Sequence, residues 1–303
     1  MNVKMTNVKR KIAAVCAAFA IALTAVGCGS SDSSSADKST TTTKEAVPAD
    51  ADAESKDEPA DTESKDEPAD PESVDEPESE EDESSEPQEF VPSEDKWEID
   101  AYGQKIYKFS DEYNEFLEGV VFIGDSVCYG LELYDYMPDN NVLAVGSVAA
   151  RNIFEFGFDV NGTEYSITDA VQLVDPKVVI CSMGINDVNL STEEQFCENY
   201  MMLLDRLHDA VPDAKLYVAS ITPTTADCDK ISNEKVQRYN EVIKEYLANC
   251  GKDYGFVEIG NYLKDDQGYQ SVEYAGGDGV HMLSHAYSAI LYQVCEQLVG
   301  PIV

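Results

Sequence analysis

The pattern of hydrophobic and polar positions changes twice along this chain. An apolar run from Ile12 to Val26 follows a basic start, and a long polar segment with almost no large apolar residue comes next. From about residue 96, short Val- and Ile-rich runs alternate with longer stretches in which apolar residues recur at three-and-four spacing. The first pattern is typical of buried strands and the second of amphipathic helices. The chain therefore divides into a leader, a polar segment and a folded part.

The folded part carries alternating strand and helix patterns. Five apolar runs predict strands, at Val120–Ile123, Asn141–Val145, Lys177–Met183, Lys215–Ile221 and Gly255–Ile259. Three helices are predicted, one capped by Thr192, one ending at Gly251 and one running from about Ser284 to Leu298. Alternation of this kind is typical of a parallel sheet covered on both faces, with ligands at the carboxyl ends of its strands. We therefore predict one α/β domain over residues 96–303, with about five parallel strands.

The leader, residues 1–27, has the features of a signal peptide. Its apolar run follows four basic residues and is too short to span a bilayer comfortably. It ends in Ala25-Val26-Gly27-Cys28, which resembles a bacterial lipobox with Ala in place of the usual Leu. The resemblance implies that Cys28 is lipidated and becomes the new N-terminus. The alternative is a secretory signal that is cut elsewhere, with Cys28 incidental.

Residues 28–95 consist mainly of Ser, Thr, Asp, Glu, Pro and Ala and include a nine-residue repeat that begins "ESKDEPADT". Such a segment buries too little apolar surface to fold alone, so we predict a disordered acidic stalk. Cation binding or a specific partner motif is the alternative reading.

The formal net charge is −38, and both the stalk and the folded part are acidic. An acidic field repels phosphate backbones and anionic lipid headgroups, which argues against nucleic acid as a partner. Membrane attachment is therefore expected only through the lipid at Cys28, which predicts an extracytoplasmic, lipid-anchored location.

Six of the eight cysteines lie in the folded part. An even number in an exported domain permits disulfides, but no small-scaffold framework and no C-x-x-C metal pattern is present. We expect Cys181, Cys197 and Cys295 to be small buried residues, and we predict neither a metal nor a cofactor.

Three short motifs follow predicted strands and carry reactive side chains. Gly124-Asp125-Ser126 follows the first strand, "GIND" at 184–187 follows a middle strand, and Asp278 precedes His281 by three residues near the C-terminus. Ester chemistry of the triad type needs a serine, a histidine base, an acid that orients the histidine, and donors to the oxyanion. Each motif alone is also compatible with an ordinary helix cap or turn. Their convergence at one edge of the sheet favours a catalytic site.

In this order, the three motifs resemble those of the SGNH (GDSL-type) hydrolases, over nearly all of residues 118–303. The resemblance implies a flavodoxin-like three-layer fold, with Ser126 as nucleophile and N–H donor, His281 as base and Asp278 as its orienting acid. It also implies a side-chain oxyanion donor at Asn186, turn-stabilising roles for Asp125 and Asp187, and a substrate-binding position at Gly184.

The chain departs from the family pattern in the second block, "NVLAVGSVAARN". Family members usually provide a backbone donor from a glycine there, and alignment places Ala150 at that position. An alanine amide can still donate, so Ala150 is the expected donor. The glycine of this block, Gly146, is a second candidate for contact with substrate, and Ala286 replaces a frequent family glycine in the last helix.

The leading interpretation is an exported, membrane-tethered serine esterase that removes short acyl groups, such as acetyl, from carbohydrate or other small esters. An acyltransferase with the same triad, or an inactive binding protein for glycans or proteins, is the alternative. A lipase is disfavoured because no long apolar lid segment follows Ser126. Thiol catalysis by Cys128 is disfavoured because it lies inside the following turn.

Overall fold

The computed structural model describes residues 96–301, so the predictions for the leader, the stalk and Cys28 lie outside the described residues. The strands are β1 Trp97–Ile99, β2 Lys105–Tyr107, β3 Val120–Gly124, β4 Val142–Ala144, β5 Phe158–Val160, β6 Thr163–Tyr165, β7 Val178–Ser182, β8 Lys215–Ala219 and β9 Tyr254–Val257. The α-helices are α1 Asp111–Glu118, α2 Gly130–Leu133, α3 Ile167–Val174, α4 Glu193–Ala210, α5 Asn233–Asn249 and α6 Ala286–Leu298. Short 3-10 turns occupy 139–141, 153–155 and 261–263.

The central sheet has five parallel strands in the order β4-β3-β7-β8-β9. All five were predicted, with ends within three residues of those observed. The residues of β3 from Val120 to Ile123 have no exposed surface, as expected for a strand covered on both faces. The sheet and its flanking helices confirm the predicted three-layer α/β domain, and the strand order places the end of β3 between the ends of β4 and β7.

The three predicted helices are present. Thr192 forms a capping box with Gln195 at the start of α4, and the apolar stripe of α4 is buried as the spacing predicts. Helix α5 is followed by Gly251 at a φ of +71°, a left-handed conformation that glycine adopts without strain. Helix α6 begins at Ala286, two residues later than predicted, and is buried from Ala286 to Cys295. It is therefore a core helix and places its N-terminal end beside the loop of His281.

The structure adds two β-hairpins and two eight-residue helices that the sequence patterns did not predict. Hairpin β5–β6 turns at Asn161-Gly162, both at positive φ, which is the usual chemistry of a two-residue hairpin loop. Helices α1 and α3 begin at the side-chain caps of Ser110 and Ser166. Strand β2 of the first hairpin contacts α6, and α3 contacts α4.

The six cysteines of the described residues are free, and Cys128, Cys181, Cys197 and Cys295 are buried. This confirms the expected burial of Cys181, Cys197 and Cys295. Within residues 96–301, no helix combines the length and the apolar character that a membrane span requires.

Candidate active site

The serine lies on the turn that leaves β3. A Cβ atom at Gly124 would come within 2.1 Å of the Ser182 carbonyl oxygen and 2.4 Å of the Cys128 Cβ, so only glycine allows this close passage of the chain. Asp125 then accepts hydrogen bonds from the backbone N–H groups of Val127, at 2.9 Å, and Cys128, at 3.4 Å. This confirms its predicted role in the turn. Ser126 is left half-buried at the edge of the sheet.

Asp125 is fully buried beneath this turn. Burial raises the pKa of its carboxyl to about 6, although the N–H groups of Val127 and Cys128 and the nearby His281 act in the opposite direction. The ionised form of Asp125 is therefore held at a cost in folding stability, and its charge lies close to the histidine of the site.

His281 connects the serine to an acid. The Ser126 Oγ atom lies 2.9 Å from His281 Nε2, and His281 Nδ1 lies 2.6 Å from Asp278 Oδ2. The other carboxylate oxygen of Asp278 accepts from the backbone N–H groups of Val280, at 3.0 Å, and His281, at 2.8 Å. The structure thus brings the three predicted residues into one hydrogen-bonded chain, although Ser126 and His281 are 155 positions apart.

The carboxyl of Asp278 is held in its ionised form. Partial burial acts to raise its pKa, but the hydrogen bonds from the His281 ring and from the two backbone N–H groups outweigh burial and lower the pKa to about 2. An ionised acceptor 2.6 Å from Nδ1 favours a proton on Nδ1, so Nε2 carries the lone pair that can accept the serine proton.

Asn186 lies on the turn that follows β7. Gly184 begins this turn at a φ of +139°, and a Cβ there would meet the Ile221 side chain at 2.7 Å. The half-buried Asn186 donates from Nδ2 to the Val148 carbonyl at 2.9 Å, and this bond fixes the plane of its amide. An amide nitrogen carries two protons, so one Nδ2 proton remains for another acceptor.

The backbone N–H of Ala150, the predicted oxyanion donor, has a protein acceptor in this structure. The Ala150 N–H already donates to Oδ2 of Asp187 at 2.9 Å, and Asp187 is fully buried. Breaking this bond would leave a buried carboxylate short of a donor, which is unfavourable. The neighbouring Ala149 N–H also has an acceptor, Asn152 Oδ1 at 2.8 Å. Within residues 96–301, the exposed Gly146 N–H has no acceptor.

Sequence reasoning did not identify Arg151. Its Nη1 donates to the Asn186 carbonyl at 2.7 Å and lies 3.3 Å from Asp187 Oδ1, which confirms that Asp187 stabilises this turn. A signal was present, because Arg151 is the only basic residue between Lys108 and Lys177. A single basic residue in a stretch of that length, directly after the second-block motif, indicates that Arg151 has a specific hydrogen-bond or ion-pair partner.

Cys128, two nearby tyrosines and the histidine of α4 are not part of this arrangement. Burial raises the pKa of the Cys128 thiol well above its usual range, which disfavours a nucleophilic thiolate. The rings of Tyr134 and Tyr136 pack on Tyr287 and are half-buried. His208 is exposed on α4.

The remaining histidine, His285, is buried against Tyr274, and burial lowers its pKa. Within residues 96–301, no group of three or more His, Cys, Asp and Glu side chains is arranged to hold a metal ion.

A family model describes this arrangement of motifs. The model of the GDSL-like lipase/acylhydrolase family matches residues 122–289, which is more than half of the chain and includes the serine, asparagine, aspartate and histidine motifs. The chain belongs to this family. It is therefore a carboxylic ester hydrolase of the SGNH/GDSL type, as the motifs predicted.

Solved structures that this chain is similar to include a GDSL-like lipase and two carbohydrate esterases. A GDSL-like lipase from Bacteroides thetaiotaomicron is 16% identical, covers 60% of this chain and 90% of its own, and has a TM-score of 0.44. A carbohydrate esterase family 3 protein from Talaromyces cellulolyticus is 19% identical, with coverages of 59% and 95% and a TM-score of 0.44. A family 3 carbohydrate esterase from Clostridium thermocellum is 20% identical, with coverages of 58% and 92% and a TM-score of 0.43. Among curated proteins, none matches the sequence.

Proposed function

We propose that this GDSL-family hydrolase is an exported, membrane-tethered serine esterase that removes short acyl groups, with acetyl as the preferred group, from carbohydrate or other small esters. The observation that carries the proposal is the hydrogen-bonded chain from Ser126 through His281 to Asp278. Both distances are hydrogen-bond lengths, and the residues follow the order nucleophile, base and orienting acid that nucleophilic acyl transfer requires.

In the proposed reaction, Ser126 Oγ attacks the acyl carbon while its proton passes to His281 Nε2. Asp278 keeps the ring oriented and stabilises the positive charge that develops on it. His281 then gives the proton to the departing alcohol oxygen, which leaves an acyl-serine. A water molecule, deprotonated by the same Nε2, attacks the acyl-serine and releases the acid.

Three donors are proposed for the oxyanion. The Ser126 backbone N–H has no acceptor within residues 96–301, and Asn186 Nδ2 has one proton beyond the one given to Val148. Donors that are fixed before the charge develops stabilise the transition state without a reorganisation cost. The Gly146 N–H, two residues after the end of β4, is the backbone group proposed as a third donor in place of Ala150.

The proposed preference for a short acyl group rests on the shape of the chain beside Ser126. The turn continues directly into the short helix α2, whose Leu131 is buried, so it provides no apolar lid.

The tether and the glycan substrate are proposed from the sequence alone. A lipobox-like Cys28 and an acidic segment of some 70 residues suit an enzyme held outside the membrane, and a carbohydrate of the cell wall or its surroundings is the substrate proposed there. The acidic field of the domain also disfavours phosphate-rich partners.

The test is pre-steady-state hydrolysis of p-nitrophenyl acetate by the purified protein and by its Ser126→Ala variant. A burst of p-nitrophenol stoichiometric with enzyme, absent in Ser126→Ala, is expected because acylation precedes slower deacylation. Failure to turn over any acyl ester would favour a binding role. Release of acetate from acetylated polysaccharides, compared with transfer to an added sugar, separates the hydrolase from an acyltransferase.

A further inference from the structure

Two loops meet beside the nucleophile although their strands are not neighbours. Strands β4 and β7 flank β3 on opposite sides, so the loop after β4 and the turn after β7 approach each other across the end of β3. Four polar contacts join them. Asn186 donates to Val148 O, the Ala150 N–H donates to Asp187, and Arg151 contacts both Asn186 and Asp187.

Arg151 holds the backbone of the asparagine. Its Nη1 lies 2.7 Å from the Asn186 carbonyl oxygen, the shortest of the four contacts, whereas Asp187 Oδ1 is 3.3 Å away. The Asn186 side chain is held separately through Nδ2 at 2.9 Å from Val148 O. The residue is therefore fixed at its carbonyl and at its amide, and both attachments lead to the loop after β4.

Neutralisation of the buried Asp187 does not account for this geometry. Asp187 also receives the Ala150 N–H at 2.9 Å and faces the Ser191 hydroxyl at 3.3 Å, so its carboxylate has other donors. An arginine serving only as a counter-ion would place its shorter contact on the carboxylate, because charged acceptors form the shorter hydrogen bonds. Here the shorter contact goes to the neutral carbonyl of Asn186.

We propose that Arg151 is a positioning residue for the oxyanion hole: its guanidinium fixes the Asn186 backbone so that the second Nδ2 proton points at the developing oxyanion. The inference rests on the proposed function, because it gives Arg151 a role only if Asn186 acts as a donor. It predicts an effect on the chemical step rather than on substrate binding, since the geometry of the donor matters most when charge develops.

The test is a double-mutant cycle of Arg151→Ala and Asn186→Ala, with kcat and KM measured on p-nitrophenyl acetate. Asn186→Ala is expected to lower kcat by roughly 10²- to 10³-fold, which is the ordinary loss for one oxyanion donor. Arg151→Ala should lower kcat by about 10- to 100-fold with KM within about twofold, since loosening a donor costs less than deleting it. In the Asn186→Ala background, removing Arg151 should change kcat by less than about threefold, because the group it positions is gone.

Arg206→Ala is the matched control. The Arg206 guanidinium stacks over the Phe154 ring at 4.1 Å, in the 3-10 turn just after Arg151. The control therefore removes one positive charge and a packing contact of the same loop without touching Asn186. Its kcat should stay within about twofold of the wild-type value, as expected for a residue outside the site.

Arg151→Lys guards against a folding defect. It retains the charge beside Asp187 but replaces the planar guanidinium with a point charge, so the Lys variant should fold and still have a lowered kcat. In a separate experiment on Arg151→Ala, added methylguanidinium should restore part of the lost kcat. Three results would each overturn the inference. They are additive effects on kcat in the cycle, a loss of kcat/KM in Arg151→Ala that comes entirely from a higher KM, and wild-type kcat in both Arg151 variants. If Arg151→Ala does not fold, the same cycle with Arg151→Lys tests whether the effects of Arg151 and Asn186 on kcat are coupled. An active Ser126→Ala would instead refute the proposed function.

Discussion

Replacing Asp278 with Asn tests how the orienting acid works, because the structure determines which way the new amide must point. One oxygen of Asp278 accepts two backbone N–H groups, from Val280 and His281, and the other faces His281 Nδ1. In Asp278→Asn the carbonyl oxygen must stay on the two backbone donors, so the NH₂ group faces Nδ1. Nδ1 then has to accept a hydrogen bond, which moves the ring proton to Nε2.

The consequence is a histidine in the wrong tautomer. With its proton on Nε2, His281 donates to Ser126 Oγ and cannot take the serine proton. In hydrolases with the same three groups, such a change lowers kcat by about 10⁴-fold, or about 5 kcal/mol in the activation barrier. We expect a loss of that size in kcat for p-nitrophenyl acetate, with KM changed by less than about threefold.

Stability should change much less than activity. A carboxyl whose pKa falls from 3.8 to about 2 on folding contributes stability that is present above about pH 4 and is lost as the pH falls through 2. About a third of the side chain is exposed, so solvent screening reduces this contribution to about 1 kcal/mol at neutral pH. Urea denaturation at pH 7 measures it.

Asp265→Asn is the matched control. Asp265 Oδ1 also accepts two backbone N–H groups, from Gln267 at 2.9 Å and Tyr269 at 3.0 Å, but it faces no histidine. This variant should keep kcat within about twofold, because only the turn is affected. A kcat for Asp278→Asn within tenfold of the wild-type value would refute the tautomer argument.

Three further predictions follow from the fold and the leader. Burial raises the pKa of Asp125 from 3.8 to about 6, so the wild-type protein should lose stability relative to Asp125→Asn as the pH rises from about 4 to about 6, with little further loss above that. The expected loss between pH 4 and pH 7.5 is about 2 kcal/mol, and an equal stability difference between the two proteins at both pH values would contradict this. Ala150→Pro removes the N–H that donates to Asp187, so it should lower the free energy of unfolding, measured in urea, by about 1–3 kcal/mol. Ala150→Gly keeps this N–H and should lower the free energy of unfolding by at most about 1 kcal/mol. Cys28→Ala should shift the protein from the membrane fraction to the medium on cell fractionation, and a mutant that stays with the membrane would argue against lipid attachment.

The middle strands of the central sheet, β3 and β7, could be predicted because they are buried on both faces. Such strands read as short uninterrupted runs of Val and Ile, and turn residues mark their ends. The long helices α4 and α5 show a clear apolar stripe over several turns. Helices α1 and α3 were missed because eight residues give only two turns of that pattern, too few for periodicity to stand out.

The members of the site could be predicted from motif order, but their hydrogen-bond partners could not. Ser126, Asn186, Asp278 and His281 each follow a strand or a glycine-rich approach that the sequence displays. The acceptor of the Ala150 N–H could not be predicted because it is Asp187, 37 positions away, and such a pairing depends on how two loops meet in space. Arg151 was missed for the same reason, since its role depends on a carbonyl 35 positions away.

Covalent labelling of the nucleophile tests the central claim most directly. The purified protein is treated with diisopropyl fluorophosphate and the modified peptide is mapped by mass spectrometry, with and without prior saturation by a slowly hydrolysed acyl ester. The account predicts one adduct, on Ser126, that the ester blocks and that Asp278→Asn greatly slows. Labelling that falls elsewhere, or that persists at full rate in Ser126→Ala, would contradict it.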